Sequence, residues 1–212
     1  MRRRPAELTS RKPRKQYHHG DLRRALVAEA ARTIQARGVG HLTLRAVGES
    51  LGVSRTALYR HFADKAALLA AVATEGFAQL RRDLVDAWEQ HGGGREGFDA
   101  MGVAYVRFAV KGPSYYRVMF GGLVEADRAD CGLQEQAASA FGVLVEAIVQ
   151  QQKAGLVRED DPVQLARYIW AAVHGIAMLG IDGQLRDAEG GAEALIHFAN
   201  ERLRLGIATP PR

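Results

Sequence analysis

The chain has 212 residues, 47% apolar and 25% charged, so it can form one large or two small globular domains. Its single cysteine, Cys131, excludes an internal disulfide and a zinc site built on a cysteine cluster. The net charge is +5, but residues 1–65 carry 15 Lys and Arg against 5 Asp and Glu, whereas the remaining residues carry 14 against 19. This asymmetry indicates that the N-terminal third binds a polyanion such as nucleic acid.

Residues 1–17 combine two prolines and seven basic side chains with little apolar content, which predicts a mobile basic arm. Helical periodicity begins after the arm. Leu26, Ala30 and Ile34 recur at four-residue intervals and give a first helix one apolar face, and Gly38 follows as a terminator.

Two short helices are predicted between residues 43 and 62. Thr43 can cap the first and Ser54 the second, because hydroxyl oxygens accept hydrogen bonds from the free amides of a first helical turn. The second helix extends to about Phe62. Gly52 allows a tight turn between them, and the result is a helix-turn-helix. The outward side chains of the second helix are Ser54, Arg55, Thr56, Tyr59 and His61. They suit contact with DNA bases, although the spacing alone also fits the exposed face of an ordinary short helix.

The rest of the chain is also predicted to be helical. Asp64 can cap a long fourth helix over residues 65–90, which ends in a loop of three glycines. Five more helices are predicted over residues 96–111, 114–120, 134–153, 162–179 and 192–205, with a loop at 123–133. We therefore expect an all-α protein with a basic arm (1–17), a helix-turn-helix DNA-binding domain (18–64), and a linking helix with a helical C-terminal domain (65–212).

Four segments within residues 17–69 carry a resemblance to a known family. They are Tyr17-His18-His19-Gly20-Asp21-Leu22, Leu42-Thr43-Leu44-Arg45, Gly52-Val53-Ser54-Arg55-Thr56-Ala57-Leu58-Tyr59-Arg60-His61-Phe62, and Asp64-Lys65-Ala66-Ala67-Leu68-Leu69. Together they resemble the DNA-binding domain of the TetR family of transcription regulators. The resemblance implies a homodimeric regulator whose C-terminal domain binds a small organic effector.

The resemblance also implies roles for individual residues. Arg55 and Thr56 would read bases, and Thr43 and Lys65 would hold phosphates. Tyr59 and His61 would contact the DNA backbone and could also reach bases. Ser54 stands at the start of the helix that carries Arg55. Arg45, on the preceding helix, is a further candidate for DNA contact. The basic arm either enters the minor groove or is a solvated tail.

The C-terminal region adds a shorter resemblance. The run Ile169-Trp170-Ala171-Ala172-Val173-His174-Gly175 resembles the Trp-x-x-x-His-Gly pattern of one TetR subclass, and residues 115–121 resemble a segment that precedes it. Large side chains of this region are candidates to line an effector cavity: Met101, Tyr105, Phe108, Tyr115, Tyr116, Met119, Phe120, Phe141, Trp170, His174 and Met178. Any one of them can instead simply fill the core.

The last two predicted helices are candidates for a dimer interface. The helix that begins at Pro162 has two apolar stripes, one through Leu165 and Leu179 and one through Trp170 and Ile181, and an element that is apolar on two faces must bury both. A four-helix interface between two subunits would do so. The alternative is a larger single core.

Other classes of protein are disfavoured. The sequence has no phosphate-binding glycine loop, no Gly-x-Ser-x-Gly elbow and no zinc-ligand spacing, so we expect no enzyme activity and no cofactor. His18 and His19 lack further ligands at useful spacing, and we expect no metal. The longest nearly apolar run, residues 168–181, is too short to cross a bilayer, and no signal-peptide core follows the Arg-rich start. We expect a cytoplasmic protein with no membrane partner. A DNA-binding protein without an effector, acting as an activator or through a protein partner, is the alternative.

Overall fold

The computed structural model describes residues 19–124, 131–186 and 190–208, so the predicted basic arm lies outside the described residues. The helices are α1 (His19–Arg37), α2 (Leu44–Ser50), α3 (Arg55–Tyr59), α4 (Lys65–Gln90), α5 (Gly94–Lys111), α6 (Pro113–Phe120), α7 (Cys131–Lys153), α8 (Pro162–Ile181) and α9 (Gly191–Ile207). A 3-10 turn, Val39–His41, joins α1 to α2. The predicted all-α fold is confirmed.

The predicted helix starts are explained by side-chain caps. Thr43, Ser54 and Asp64 each accept a hydrogen bond from the amide three residues later, at 3.0, 3.3 and 2.8 Å. Asp161 caps α8 by accepting from the amide of Val163, two residues later, at 2.8 Å. Each bond satisfies an amide that has no partner within its helix. The caps fix where the two short helices and the long α4 begin.

Two predicted boundaries are wrong. The third helix ends at Tyr59 rather than near Phe62, because the amides of His61 and Phe62 both donate to the carbonyl of Leu58, at 3.0 and 3.1 Å, and tighten the chain into a turn. That turn places Phe62 in the core. The predicted loop 123–133 is helical from Cys131 onward, while residues 125–130 lie outside the described part.

The three N-terminal helices pack as one unit, which we call the head (residues 19–64). Its core contains Leu26, Ile34 and Val47. Gly48 lets α2 and α3 approach closely, since a Cβ on it would lie 3.0 Å from Cδ1 of Leu58. Buried side chains of the first half of α4, as far as Phe77, belong to the same core. Head packing therefore continues beyond the boundary predicted at residue 64.

The remaining helices form the body (residues 65–208). Helix α4 packs against α5, α6 and α7, and α8 packs against α5, α7 and α9. Helices α4 and α6 of the body also contact α1 of the head. No helix among the described residues is long and apolar enough to cross a membrane.

Helices α8 and α9 bury one face and expose apolar side chains on the other. The exposed fractions are 58% for Tyr168, 45% for Leu179, 56% for Phe198 and 65% for Leu205. Tyr168 and Leu179 are 11 residues apart on α8, and Phe198 and Leu205 are 7 residues apart on α9. Each spacing is close to a whole number of helical turns, so the two side chains lie on one side of their helix. We call these four side chains the α8–α9 outer face. The sequence pattern predicted that Leu165 and Leu179 lie on one apolar stripe. In the structure Leu165 is buried and Leu179 is exposed, so that prediction is wrong for Leu179.

Candidate DNA interface and internal cavity

Helix α3 presents polar side chains to solvent. Ser54, Arg55, Thr56 and Tyr59 are exposed, Tyr59 by 51%, while Leu58 is buried against α2. The predicted recognition surface is thus a polar outer face on an anchored helix, as base contact in the major groove requires. His61 is half-buried in the turn that follows. Arg60, which the sequence analysis did not select, is exposed beside it.

The other predicted DNA contacts also have partners within the protein. Nε of Arg45 donates to Glu49 at 2.7 Å on the exposed surface of α2. Nζ of Lys65 donates to the carbonyl of Val39 at 3.0 Å and so ties the 3-10 turn to the start of α4. An ammonium group carries three N–H donors, so Lys65 can hold this turn and still contact a phosphate.

The body encloses a cavity of about 280 Å³. Helix α4 forms one wall, and α5, α6, α7, α8 and α9 form the others. The lining residues are Phe77, Leu80, Leu84, Phe98, Met101, Gly102, Tyr105, Phe120, Ala137, Ala140, Phe141, Leu144, Ile169, Trp170, Val173 and Asn200. The polar side-chain groups among them are the Tyr105 hydroxyl, the Trp170 indole N–H and the Asn200 amide. The cavity suits a mostly apolar small molecule.

A chain of hydrogen bonds supports one side of the cavity. The indole N–H of Trp170 donates to Oη of Tyr105 at 3.0 Å. Oη of Tyr105 lies 2.7 Å from Oη of Tyr116, which lies 2.6 Å from Nδ1 of His174. Burial raises the pKa of Tyr105 to about 12 and also raises the pKa of Tyr116. Burial lowers the pKa of His174, so the neutral forms of all three side chains are favoured at neutral pH.

The Trp-x-x-x-His-Gly pattern has a structural explanation in this chain. Trp170 and His174 lie one helical turn apart on α8, so their side chains share a face. The indole N–H of Trp170 donates to the hydroxyl of Tyr105, and Nδ1 of His174 lies 3.2 Å from the same oxygen. Gly175, by contrast, has no atom within 4 Å of where a Cβ would lie. Trp170 of the pattern thus lines the cavity, whereas a side chain at Gly175 would meet open space.

Two family models match the chain. One, described as bacterial regulatory proteins of the tetR family, matches residues 26–72. The other, described as a tetracyclin repressor-like C-terminal domain, matches residues 98–203, half of the chain. The chain belongs to the TetR family. It is therefore a DNA-binding transcription regulator and not an enzyme.

Solved structures agree with this assignment. A Rhodococcus sp. RHA1 protein of unknown function is 33% identical, with a TM-score of 0.82 over 92% of this chain and 100% of that one. A TetR-family transcriptional regulator from Pectobacterium atrosepticum is 25% identical, with a TM-score of 0.73 over 92% and 97%. The fatty acid degradation regulator FadR of Bacillus halodurans shares the fold, with a TM-score of 0.68 at 12% identity over 93% and 98%. No curated protein matches the sequence.

Within this TetR fold, the predicted effector residues divide into three groups. Five line the cavity: Met101, Tyr105, Phe120, Phe141 and Trp170. Tyr116 and His174 lie behind the wall, in the hydrogen-bond chain. Phe108, Tyr115, Met119 and Met178 do not line it. The reason is helical phase. On α6, Tyr116 and Phe120 share one face, whereas Tyr115 and Met119 lie on another and pack over Gly76 of α4.

The contribution of α4 to the cavity was not predicted from the sequence. Phe77, Leu80 and Leu84 recur at spacings of three and four, which is the pattern of one apolar face. That signal was present, but the helix was interpreted as a linker alone. Asn200 was missed because its amide interrupts an apolar stripe of α9 that contains Ile196 and Leu203.

Proposed function

We propose that this TetR-family protein is a cytoplasmic homodimer that represses transcription from a palindromic operator and is released by a small apolar or aromatic effector. Each chain contributes one helix-turn-helix, so a two-fold dimer would present two recognition helices to the DNA. The cavity would receive the effector. The observation that supports release most strongly is the packing between the cavity and the head.

Phe77 and Phe120 connect the cavity to the head. Both line the cavity, and their ring centroids are 5.1 Å apart in an edge-to-face contact. Phe77 also belongs to the core that the head shares with α4, and Phe120 packs against that core. A molecule in the cavity would therefore touch side chains on which the position of the head depends.

Helix α6 provides a second connection. Phe120 lies in the cavity wall, whereas Val118, two residues earlier, is 1% exposed and belongs to the core shared with the head. At the end of α5, two residues before α6 begins, Nε2 of Gln35 on α1 donates to the carbonyl of Lys111 at 3.3 Å. An effector that shifts α6 would disturb both contacts. The effector can shift α6 only if it binds the shifted and the unshifted arrangement of the helix with different affinity.

The α8–α9 outer face supports the homodimer. Four large apolar side chains exposed on two adjacent helices form the kind of patch that soluble proteins cover with a partner. The two-fold symmetry of a dimer would bring the same helices of both subunits together as a four-helix interface.

Operator footprinting tests the proposal. We expect the protein to protect a palindrome whose half-sites lie about 34–36 Å apart, or a multiple of that spacing, on one face of the DNA. A protected single half-site bound by one chain would contradict it. Protection that no cavity ligand weakens would identify an effector-independent regulator instead.

A further inference from the structure

We propose that the molecule that fills the cavity is an uncharged bicyclic aromatic alcohol with about ten to twelve non-hydrogen atoms. This inference rests on one part of the proposed function, namely that the cavity is the effector site. Four properties of the wall support it: its volume, its lack of charge, its ring content and its unused hydrogen-bonding groups.

The volume sets the size of the occupant. An apolar cavity of about 150 Å³ accepts benzene. The cavity of this protein measures about 280 Å³, somewhat less than twice that volume. Two fused six-membered rings with one small substituent match this space, whereas long acyl chains and multi-ring drugs exceed it.

The wall excludes charged ligands. None of the described residues that line the cavity is Asp, Glu, Lys, Arg or His. His174 lies behind the wall, and burial lowers its pKa, so it supplies no positive charge at neutral pH. A carboxylate or an ammonium group in the cavity would lose its hydration without gaining a counter-charge, which is strongly unfavourable.

Aromatic rings line much of the wall. Phe141 and Phe120 lie on either side of Trp170, with centroid distances of 6.0 and 6.2 Å. Phe77 extends this group through its contact with Phe120. Rings at these separations present both faces and edges to the cavity, and a flat aromatic guest can stack on some and contact the edges of others.

The wall of the cavity keeps unused hydrogen-bond acceptors. A tyrosine hydroxyl is a stronger acid than a neutral imidazole, so we assign Tyr116 as the donor to Nδ1 of His174 and place the imidazole proton on Nε2. Tyr105 then donates to Tyr116 and accepts from Trp170. The two hydroxyl hydrogens and the indole hydrogen of this chain are then used, and Tyr105 keeps one lone pair free.

Asn200 adds a second acceptor. Its Nδ2 donates to the carbonyl of Asp99 at 2.9 Å. Its Oδ1 lies against Gly102, 2.8 Å from where a Cβ would stand, so glycine at that position leaves room for the amide at the cavity wall. A ligand hydroxyl would donate to Oδ1. A ketone or an ether has no hydrogen to donate and could not use these acceptors.

Calorimetric titration of the full chain at pH 7 tests the proposal with three compounds of similar shape: 2-naphthol, naphthalene and 2-naphthoate. We expect 2-naphthol to bind about tenfold more tightly than naphthalene, because of one added hydrogen bond, and 2-naphthoate to show no binding. Tighter binding of 2-naphthoate, equal affinities of 2-naphthol and naphthalene, or binding by none of the three would overturn the proposal.

Asn200→Leu should lower the affinity for 2-naphthol to about that for naphthalene, which itself stays unchanged within about twofold. Gln150→Leu, which removes an exposed amide on α7 outside the cavity, is the matched control and should change neither affinity. A normal affinity of Asn200→Leu for 2-naphthol would contradict the assigned contact. These titrations contain no DNA, so failure here is distinct from failure of an occupied cavity to release the operator.

Discussion

Phe198→Glu is expected to convert the protein from a dimer to a monomer and to weaken operator binding about a hundredfold or more. Phe198 is 56% exposed on the α8–α9 outer face. A carboxylate there would be desolvated in the proposed interface, and pairing with Arg202, whose guanidinium lies 5.0 Å from the Phe198 ring centroid, would offset little of that cost. Loss of the dimer makes the binding of the second half-site an intermolecular step, and linkage of two half-sites typically contributes two to four orders of magnitude. Light scattering gives the mass, and fluorescence anisotropy gives the operator affinity.

Leu123→Glu is the matched control for this substitution. Leu123 is 42% exposed, but it follows α6 and does not belong to the α8–α9 outer face. This variant should remain dimeric and bind the operator normally. If Phe198→Glu also stays dimeric at the same concentration, the interface assigned to α8 and α9 is wrong.

Arg55→Ala is expected to reduce operator affinity by about 1–3 kcal/mol and to relax preference at one base pair. Arg55 is exposed at the first turn of α3, where recognition helices contact base edges. Lys65→Ala should instead weaken specific and non-specific DNA alike and reduce the salt dependence, because a phosphate contact releases a counterion whatever the sequence. Binding of both variants to operator and random duplexes across a salt series separates the two effects.

Lys65→Ala requires a stability control, since it also removes the 3.0 Å bond from Nζ to the carbonyl of Val39. Lys65→Arg keeps the charge and a donor for both partners, so it should restore much of the DNA affinity. Equal and sequence-independent losses for Arg55→Ala and Lys65→Ala would place Arg55 on the phosphate backbone rather than on the bases.

The helix starts were predictable because their signals are local. Thr43, Ser54 and Asp64 stand immediately before apolar-periodic segments, and each caps the helix that follows. The end of α3 was not predictable in the same way. It depends on the carbonyl of Leu58 accepting from two amides, which happens only once Phe62 packs into the head core.

The cavity was partly predictable. Large apolar side chains on α5, α6 and α8 marked the region, but the phase of each helix decides which of them face inward. Tyr105 lines the cavity, while Phe108, one turn later, lies in the groove between α4 and α5. The contact between Tyr116 and His174 joins residues 58 apart in the sequence, and no local pattern indicates it.

The central claim is that the cavity and the DNA head are coupled, and linked titrations test it most directly. An aromatic ligand shown by calorimetry to occupy the cavity would be titrated into free protein and into operator-bound protein. We expect the operator to weaken ligand binding by about 5- to 150-fold, and the ligand to weaken operator binding by the same factor, as linkage requires. Indistinguishable ligand affinities in the two titrations would contradict the account and leave a cavity that does not control DNA binding.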